Sequence, residues 1–493
     1  MFNKVTPETK GVKSSDIADY ISFLKRRGII MHSILMLRGN DIIAEYYYKP
    51  FHKDFKHRMY SETKSFVSIA IGLLEEEGKL NLEDKIIDWF PEKVCEKTCE
   101  FLKEQTIKNM LMMETGVHCD YWFTSGNPDR VDLYFKGKPK LYPAGTIWEY
   151  DSAGSQVLCA LVEKITGKSL LDYLREKLFN KMGTFKTAEI LKTPNGVSWG
   201  DSALVCTSRD MLSFGRFVMN YGTWNGERLM NEKYLKEATS KLAYNAPKGF
   251  YSASSGGYGY QIWKMERDSF AFVGMGGQMT ICVPDKDFVF VCTGDNQGNP
   301  HAYDLLINAL FDMVINKIED SPVEICEKGT QRLKEEISNL ELWHIDGKEK
   351  TSLTDKINGQ KYICHENKCG ISEFTLMFNE DGTGEFHYIN EQGSKTIPFG
   401  INKNVFAKFP QLGYSNEYGG ARTTDGFMYD CAASGAWVEE EKFMLRVQII
   451  DKYFGQLTAT FAFKNDTAVL FMEKTAEDFL DEYHGYVLAN KEY

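Results

Sequence analysis

The sequence predicts an α+β fold: an antiparallel sheet flanked by helices, followed by a small antiparallel β-barrel or sandwich domain. Three patterns lead there. A helix and a hairpin open the chain, and strand-like runs return at 270–293, so that strands from both ends bracket a helical middle. From about residue 345 to 493 short strand-like runs dominate, separated by turn signals. The length of 493 residues exceeds what one hydrophobic core usually organises, which calls for two or three domains.

The elements follow in order. Residues 15–25 place Ile17, Tyr20, Ile21 and Leu24 on one helical face, with Ser15 as the expected N-cap. Residues 33–48 alternate as two strands around the turn Arg38-Gly39-Asn40-Asp41. Ser61 to Glu77 is a strong helix: Phe66, Ile69, Ala70, Leu73 and Leu74 form its buried stripe, and Gly78 ends it. Helical periodicity recurs at 106–113, 153–166, 168–179, 207–220 and 231–238. Strands are expected at Phe270–Val273, Met279–Val283 and Phe288–Thr293, ahead of a helix at 303–317. Expected domains are therefore 1–318, a charged linker with a short helix at 319–344, and a barrel over 345–493 with turns at Asn358-Gly359, Glu380-Asp381-Gly382 and Gln392-Gly393. No repeat with a period of about 20–50 residues is present.

Composition narrows the function. Hydrophobic residues at 43% and charged residues at 26% exclude a disordered chain. A net charge of −11 excludes a phosphate-tracking nucleic-acid binder and a polybasic membrane anchor. No stretch approaches the ~18–20 apolar residues of a membrane span, and the N-terminus lacks a charged-then-apolar signal pattern. The expected compartment is cytoplasmic. Eleven cysteines, an odd number, read as reduced thiols serving as small core residues.

Two S-x-x-K strings occur. Ser22 to Lys25 lies inside the first amphipathic helix and reads as a solvated face. Ser61-Glu62-Thr63-Lys64 opens a long apolar helix, where free N–H groups and the positive dipole end favour a developing anion. Lys64 sits one turn on from Ser61 on the same face, so its ammonium can reach a hydroxyl that is a weak nucleophile unaided. Tyr150-Asp151-Ser152 is the second element. A phenol becomes a usable base only beside a cation, and Lys64 could supply it; otherwise Tyr150 is a packed aromatic and Ser152 a helix N-cap. The third is Gly274-Met275-Gly276-Gly277-Gln278 between two strands, either a bulge or a place where a ligand comes close.

The order and spacing of these elements resemble the serine β-lactamase and penicillin-binding-protein superfamily, in particular its class C and esterase branch. S-x-x-K is followed by Y-x-S about 90 residues later and by a Gly-rich strand near residue 275. Glu77-Gly78-Lys79-Leu80, Gly116, Thr207-Ser208-Arg209-Asp210-Met211 and Gly257-Tyr258-Gly259-Tyr260 fit the same pattern over roughly residues 15–318. The resemblance implies a serine hydrolase. Ser61 would form an acyl-enzyme and Lys64 and Tyr150 would share the proton work, the formal base being left open. Backbone N–H groups of Ser61 and Gln278 would form the oxyanion hole, and Ser152, Met275, Gly276 and Gly277 would contact substrate. Water would then hydrolyse the ester near Tyr150.

One departure bears on substrate. Relatives carry a cation where this chain has Met275, and many carry Asn where it has Ser152. Methionine offers an adaptable apolar contact and no charge. Small uncharged esters or amides are favoured over substrates that present a carboxylate. Class C-like β-lactamase or D-amino-acid peptidase activity is one alternative; a penicillin-binding sensor or pseudoenzyme with little turnover is another. The C-terminal barrel resembles the lipocalin-like domain that accompanies several such hydrolases, through Pro398-Phe399-Gly400 and Ser434-Gly435-Ala436-Trp437. It would cover the active-site mouth or mediate assembly.

Other signals point elsewhere. Gly167-Lys168-Ser169 mimics a phosphate loop, but Val162 stands where the required glycine belongs; Gly167 ends one helix and Ser169 starts the next. Cys95 with Cys99, and Cys364, His365 and Cys369, lack tetrahedral zinc spacing, so no metal and no cofactor is expected. Neither G-x-S-x-G nor H-E-x-x-H occurs. His118 and His301 read as structural.

Overall fold

A computed structural model describes every residue except 1, 120–125, 246–255, 416–418, 420–425, 477–479 and 481. The chain forms two compact units, one reaching Glu341 and the other beginning at Leu342.

The first unit is built on an eight-stranded sheet in the order Asn3–Lys4, Asp41–Tyr47, Met31–Arg38, Phe288–Gly294, Gln278–Val283, Phe270–Gly274, Trp263–Lys264, Gly257–Tyr258. Only the first pair is parallel. Strand alternation sorts the core into two layers. Leu35, Leu37, Val289, Val291, Phe270 and Phe272 face the helices Thr63–Glu76, Ser152–Thr166 and Ser208–Met219. Ile34, Met36, Phe288, Phe290, Ala271 and Val273 face Ser14–Arg26 and Ala302–Met313. Phe66, on the buried stripe read from the sequence, stacks on Phe214 with ring centroids 3.8 Å apart. Truncating such a side chain to alanine costs about 3–5 kcal/mol. Among the described residues no helix is long and apolar enough to cross a membrane.

Several element ends differ from the sequence reading. The first helix starts at Ser14, not 15, and the carboxylate of Glu8 accepts the Ser14 N–H at 2.9 Å, a cap supplied by a residue outside the helix. Ser61 lies in a single 3-10 turn, Tyr60–Glu62, and the α-helix begins at Thr63. Asp151, not Ser152, caps the 152–166 helix, its carboxylate accepting the Gly154 N–H at 2.8 Å. Gly167 adopts φ 67°, and Ser169 caps the next helix by accepting the Asp172 N–H, so both residues do backbone work. The 319–344 stretch carries the helix Glu327–Ser338, whose Leu333 is buried in the first unit's core beside Ser14–Arg26.

The second unit is an antiparallel meander of ten strands. Gly400 and Ile401 pair in parallel with Ser434 and Gly435, which closes nine of those strands into a barrel. The expected turns at Glu380-Asp381-Gly382 and Gln392-Gly393 join consecutive strands, Glu373–Phe378, Thr383–Asn390 and Gly393–Ile401. Side chains fill the interior: Phe374, Phe386, Trp437, Phe443 and Phe461 are buried and meet in edge and tilted ring contacts.

Candidate active site

The site is assembled where the Met59–Glu62 turn crosses the sheet. Tyr60 adopts φ 47°, a conformation disfavoured for a residue with a Cβ. The turn is tied down on both sides. Met59 donates its N–H to the Leu204 carbonyl at 2.8 Å, and the Thr63 hydroxyl donates to the Tyr60 carbonyl at 2.6 Å while accepting the Leu204 N–H at 3.1 Å. The Arg58 guanidinium lies between the rings of Tyr60 and Trp199, 4.3 and 4.4 Å from their centroids. These restraints hold Ser61, which is partly exposed, just ahead of the first turn of a 14-residue helix.

Lys64 is 1% exposed, and its amine is the centre of the arrangement. Nζ donates to Ser61 Oγ at 2.9 Å and to the Asp201 carbonyl at 2.6 Å. The Asp201 carboxylate is 4.0 Å away. The same Nζ lies 5.1 Å from the centroid of the Tyr150 ring, within cation–π range. Burial pushes the Asp201 carboxyl up, opposed by the charges of Lys64, Arg130 and Arg58. The Lys64 amine thus meets both its neighbour Ser61, one turn away, and the ring of Tyr150, which is distant in the sequence.

Tyr150 is held from two directions. Its ring stacks on Trp263 with centroids 5.8 Å apart and planes 16° from parallel. Next to it in the chain, Asp151 is buried and its carboxylate is fully engaged. Oδ1 accepts the Gly154 N–H, and Oδ2 accepts the hydroxyls of Thr115 at 2.7 Å and Tyr134 at 3.0 Å. Ser152 follows as the first residue of the helix and is partly exposed.

The Gly-rich element is a tight turn between the strands Phe270–Gly274 and Gln278–Val283. A methyl group on Gly274 would run into the Met59 carbonyl oxygen, so this glycine lets the strand pack on the Met59–Glu62 turn. Gly276 and Gly277 have φ of 81° and 96°. Met275 is partly exposed. The Gln278 side chain is wholly buried and braces the turn: Nε2 donates to the carbonyls of Met275 at 2.6 Å and Gly294 at 2.8 Å, and Oε1 accepts the Gly294 N–H at 3.0 Å. Asn296 bonds the Gly276 carbonyl, and the Tyr303 hydroxyl donates to the Gly274 carbonyl at 3.0 Å. His118 and His301 are exposed.

Sequence reasoning missed Asp201, the Thr115–Tyr134–Asp151 cluster and the bracing of the turn by Gln278, Asn296 and Tyr303. Asp201 sits in a loop with no motif around it. The Asp151 contacts join residues 17 and 36 positions apart, beyond any local pattern.

Comparison with known proteins agrees with this architecture. Residues 21–310 match the Beta-lactamase family model. The 6-aminohexanoate-dimer hydrolase of Paenarthrobacter ureafaciens is 25% identical over 307 residues, which is 58% of this chain and 78% of that protein. Among solved structures, the octameric penicillin-binding protein homologue from Pyrococcus abyssi superposes with a TM-score of 0.50 at 15% identity, covering 96% of this chain and 99% of its own. The matched segment takes in the Ser61 turn, Tyr150 and the glycine turn, and extends over more than half of the sequence: the chain belongs to the beta-lactamase family of serine hydrolases.

Proposed function

We propose that the protein hydrolyses small uncharged esters or amides through an acyl-enzyme on Ser61. The observation that carries this is the Lys64 amine, 2.9 Å from Ser61 Oγ and against the face of Tyr150. Ser61 Oγ attacks the carbonyl carbon, and its proton passes to the Lys64–Tyr150 pair, which returns it to the leaving group. A water enters from the Tyr150 side, gives up a proton to the same pair, and releases the acid with Ser61 restored. The oxyanion is met by the Ser61 N–H and by an N–H of the 274–278 turn, with Gln278 the expected donor. Losing one such donor typically costs about 2.7–4 kcal/mol of barrier. Asp201 keeps the amine in place through its carbonyl.

Met275 offers the substrate an apolar side chain rather than a cation, with Gly276 and Gly277 beside it, and Ser152 a short hydroxyl. Both features support acyl groups without a carboxylate. The similarity to a hydrolase named for the 6-aminohexanoate dimer supports linear amides beside esters. The test is turnover of p-nitrophenyl acetate and butyrate by wild type and Ser61→Ala. Loss of turnover in the variant supports the reading, and equal turnover ends it. Nitrocefin and D-Ala p-nitroanilide, run alongside, separate this activity from β-lactamase and D-amino-acid peptidase chemistry.

A further inference from the structure

Glu62 follows the nucleophile directly, yet the chemistry above does not use it. It is fully buried, and its Oε2 accepts the Thr280 hydroxyl at 2.7 Å. Thr280 lies on the strand Gln278–Val283, immediately after the turn that offers the second oxyanion donor. Among the described residues Glu62 forms no ion pair, and Oε1 has no hydrogen-bond partner. Thiols surround it: Cys206 from the strand Leu204–Cys206, Cys282 from the Thr280 strand and Cys292 from Phe288–Gly294. Behind Cys206 and Cys282, Asp210 and Arg216 approach from the helix Ser208–Met219.

We infer that Glu62 is a positioning residue: as an uncharged acid bonded to Thr280, it fixes the gap between the Ser61 turn and the glycine turn, and so the width of the oxyanion hole. This rests on the proposed role of Ser61. The Glu62–Thr280 bond ties the residue after the nucleophile to the hairpin beside it. Gly274, packed on the Met59 carbonyl, is a contact that tolerates no slack. The neutral form suits the chemistry, because a carboxylate one residue from Ser61 would repel the oxyanion. It also follows from the surroundings: burial pushes the Glu62 carboxyl well up, and Thr280 only partly opposes it.

The test compares Glu62→Gln, Glu62→Ala and Thr280→Val by steady-state ester hydrolysis from pH 6 to 10. Glu62→Ala and Thr280→Val are expected to lose about tenfold in kcat with KM within threefold, because the fault appears in the transition state. The double variant should be no worse than the poorer single, since both remove one bond. Glu62→Gln, which still accepts from Thr280 and cannot ionise, should keep kcat within threefold of wild type across that pH range. If Glu62→Ala does not fold, Thr280→Val and Glu62→Gln decide. Unchanged kcat in Thr280→Val overturns the inference, as does Glu62→Gln being as impaired as Glu62→Ala. Should Ser61→Ala retain full turnover, the catalytic reading falls first and this inference with it.

Discussion

Replacing Asp151 by alanine removes one carboxylate and strands three donors. The Gly154 N–H loses its N-cap acceptor, worth about 0.5–2 kcal/mol. The Thr115 and Tyr134 hydroxyls, both buried, lose their acceptor, at about 1–3 kcal/mol each where nothing replaces it. Gln105 still donates to the Tyr134 oxygen at 3.0 Å, which softens that part of the loss. Because the three bonds share one carboxylate they do not add fully, and a total of about 3–5 kcal/mol is expected. Asp151→Asn keeps an acceptor for Gly154 and leaves the hydroxyls to turn round as acceptors, so about 1–2 kcal/mol is expected. Urea unfolding of the three proteins at neutral pH measures the difference. Since Tyr150 is the preceding residue, ester kcat should fall in the same order even far below the unfolding midpoint. A loss under 1 kcal/mol in Asp151→Ala, or unchanged kcat, would refute the view that this buried cluster sets Tyr150.

Other consequences are as direct. Gly274→Ala puts a methyl group into the Met59 carbonyl; we expect about 1–3 kcal/mol of destabilisation and a marked fall in kcat, measured by denaturation and initial rates. His32 Nδ1 and His57 Nε2 are 2.8 Å apart in a fully buried pair, and burial pushes His57 down to about 3 and His32 well down too. The unfolded chain binds protons below about pH 6.5 where the folded pair does not. Stability is therefore complete above that pH and falls as pH drops from about 6.5 toward 3, at up to about 1.4 kcal/mol per pH unit for each histidine. Urea midpoints across this window should flatten in His57→Gln. Met275→Lys should raise kcat/KM for nitrocefin and lower it for p-nitrophenyl butyrate, because it restores a cation at the substrate end.

Much of this was legible along the chain, for identifiable reasons. The Ser61–Lys64 spacing is local: one helical turn brings amine to hydroxyl, and the apolar stripe of Phe66 to Leu74 marks the helix. The backbone just before it was not legible. A left-handed tyrosine and a 3-10 turn depend on the Leu204 strand and on Arg58, which are remote or masked by ordinary local patterns. Ser152 read as a possible N-cap, yet Asp151 is the cap, and its further partners Thr115 and Tyr134 come from elsewhere in the fold. Gln278 was read through its backbone alone, whereas its carboxamide braces the turn through Gly294, across a strand pairing. In the barrel, Asp-Gly and Gln-Gly turns announced hairpins. Closure came only through the family resemblance, because it rests on Gly400 and Ile401 meeting Ser434 and Gly435, and no local period encodes that match.

The central claim is that Ser61 carries the acyl group, and intact-protein and peptide mass spectrometry after brief reaction with p-nitrophenyl butyrate or a fluorophosphonate tests it most directly. The account predicts a single adduct on Ser61, absent in Ser61→Ala and slowed at least tenfold in Lys64→Ala. An adduct on another residue, or unimpaired labelling and turnover without the Ser61 hydroxyl, would contradict it.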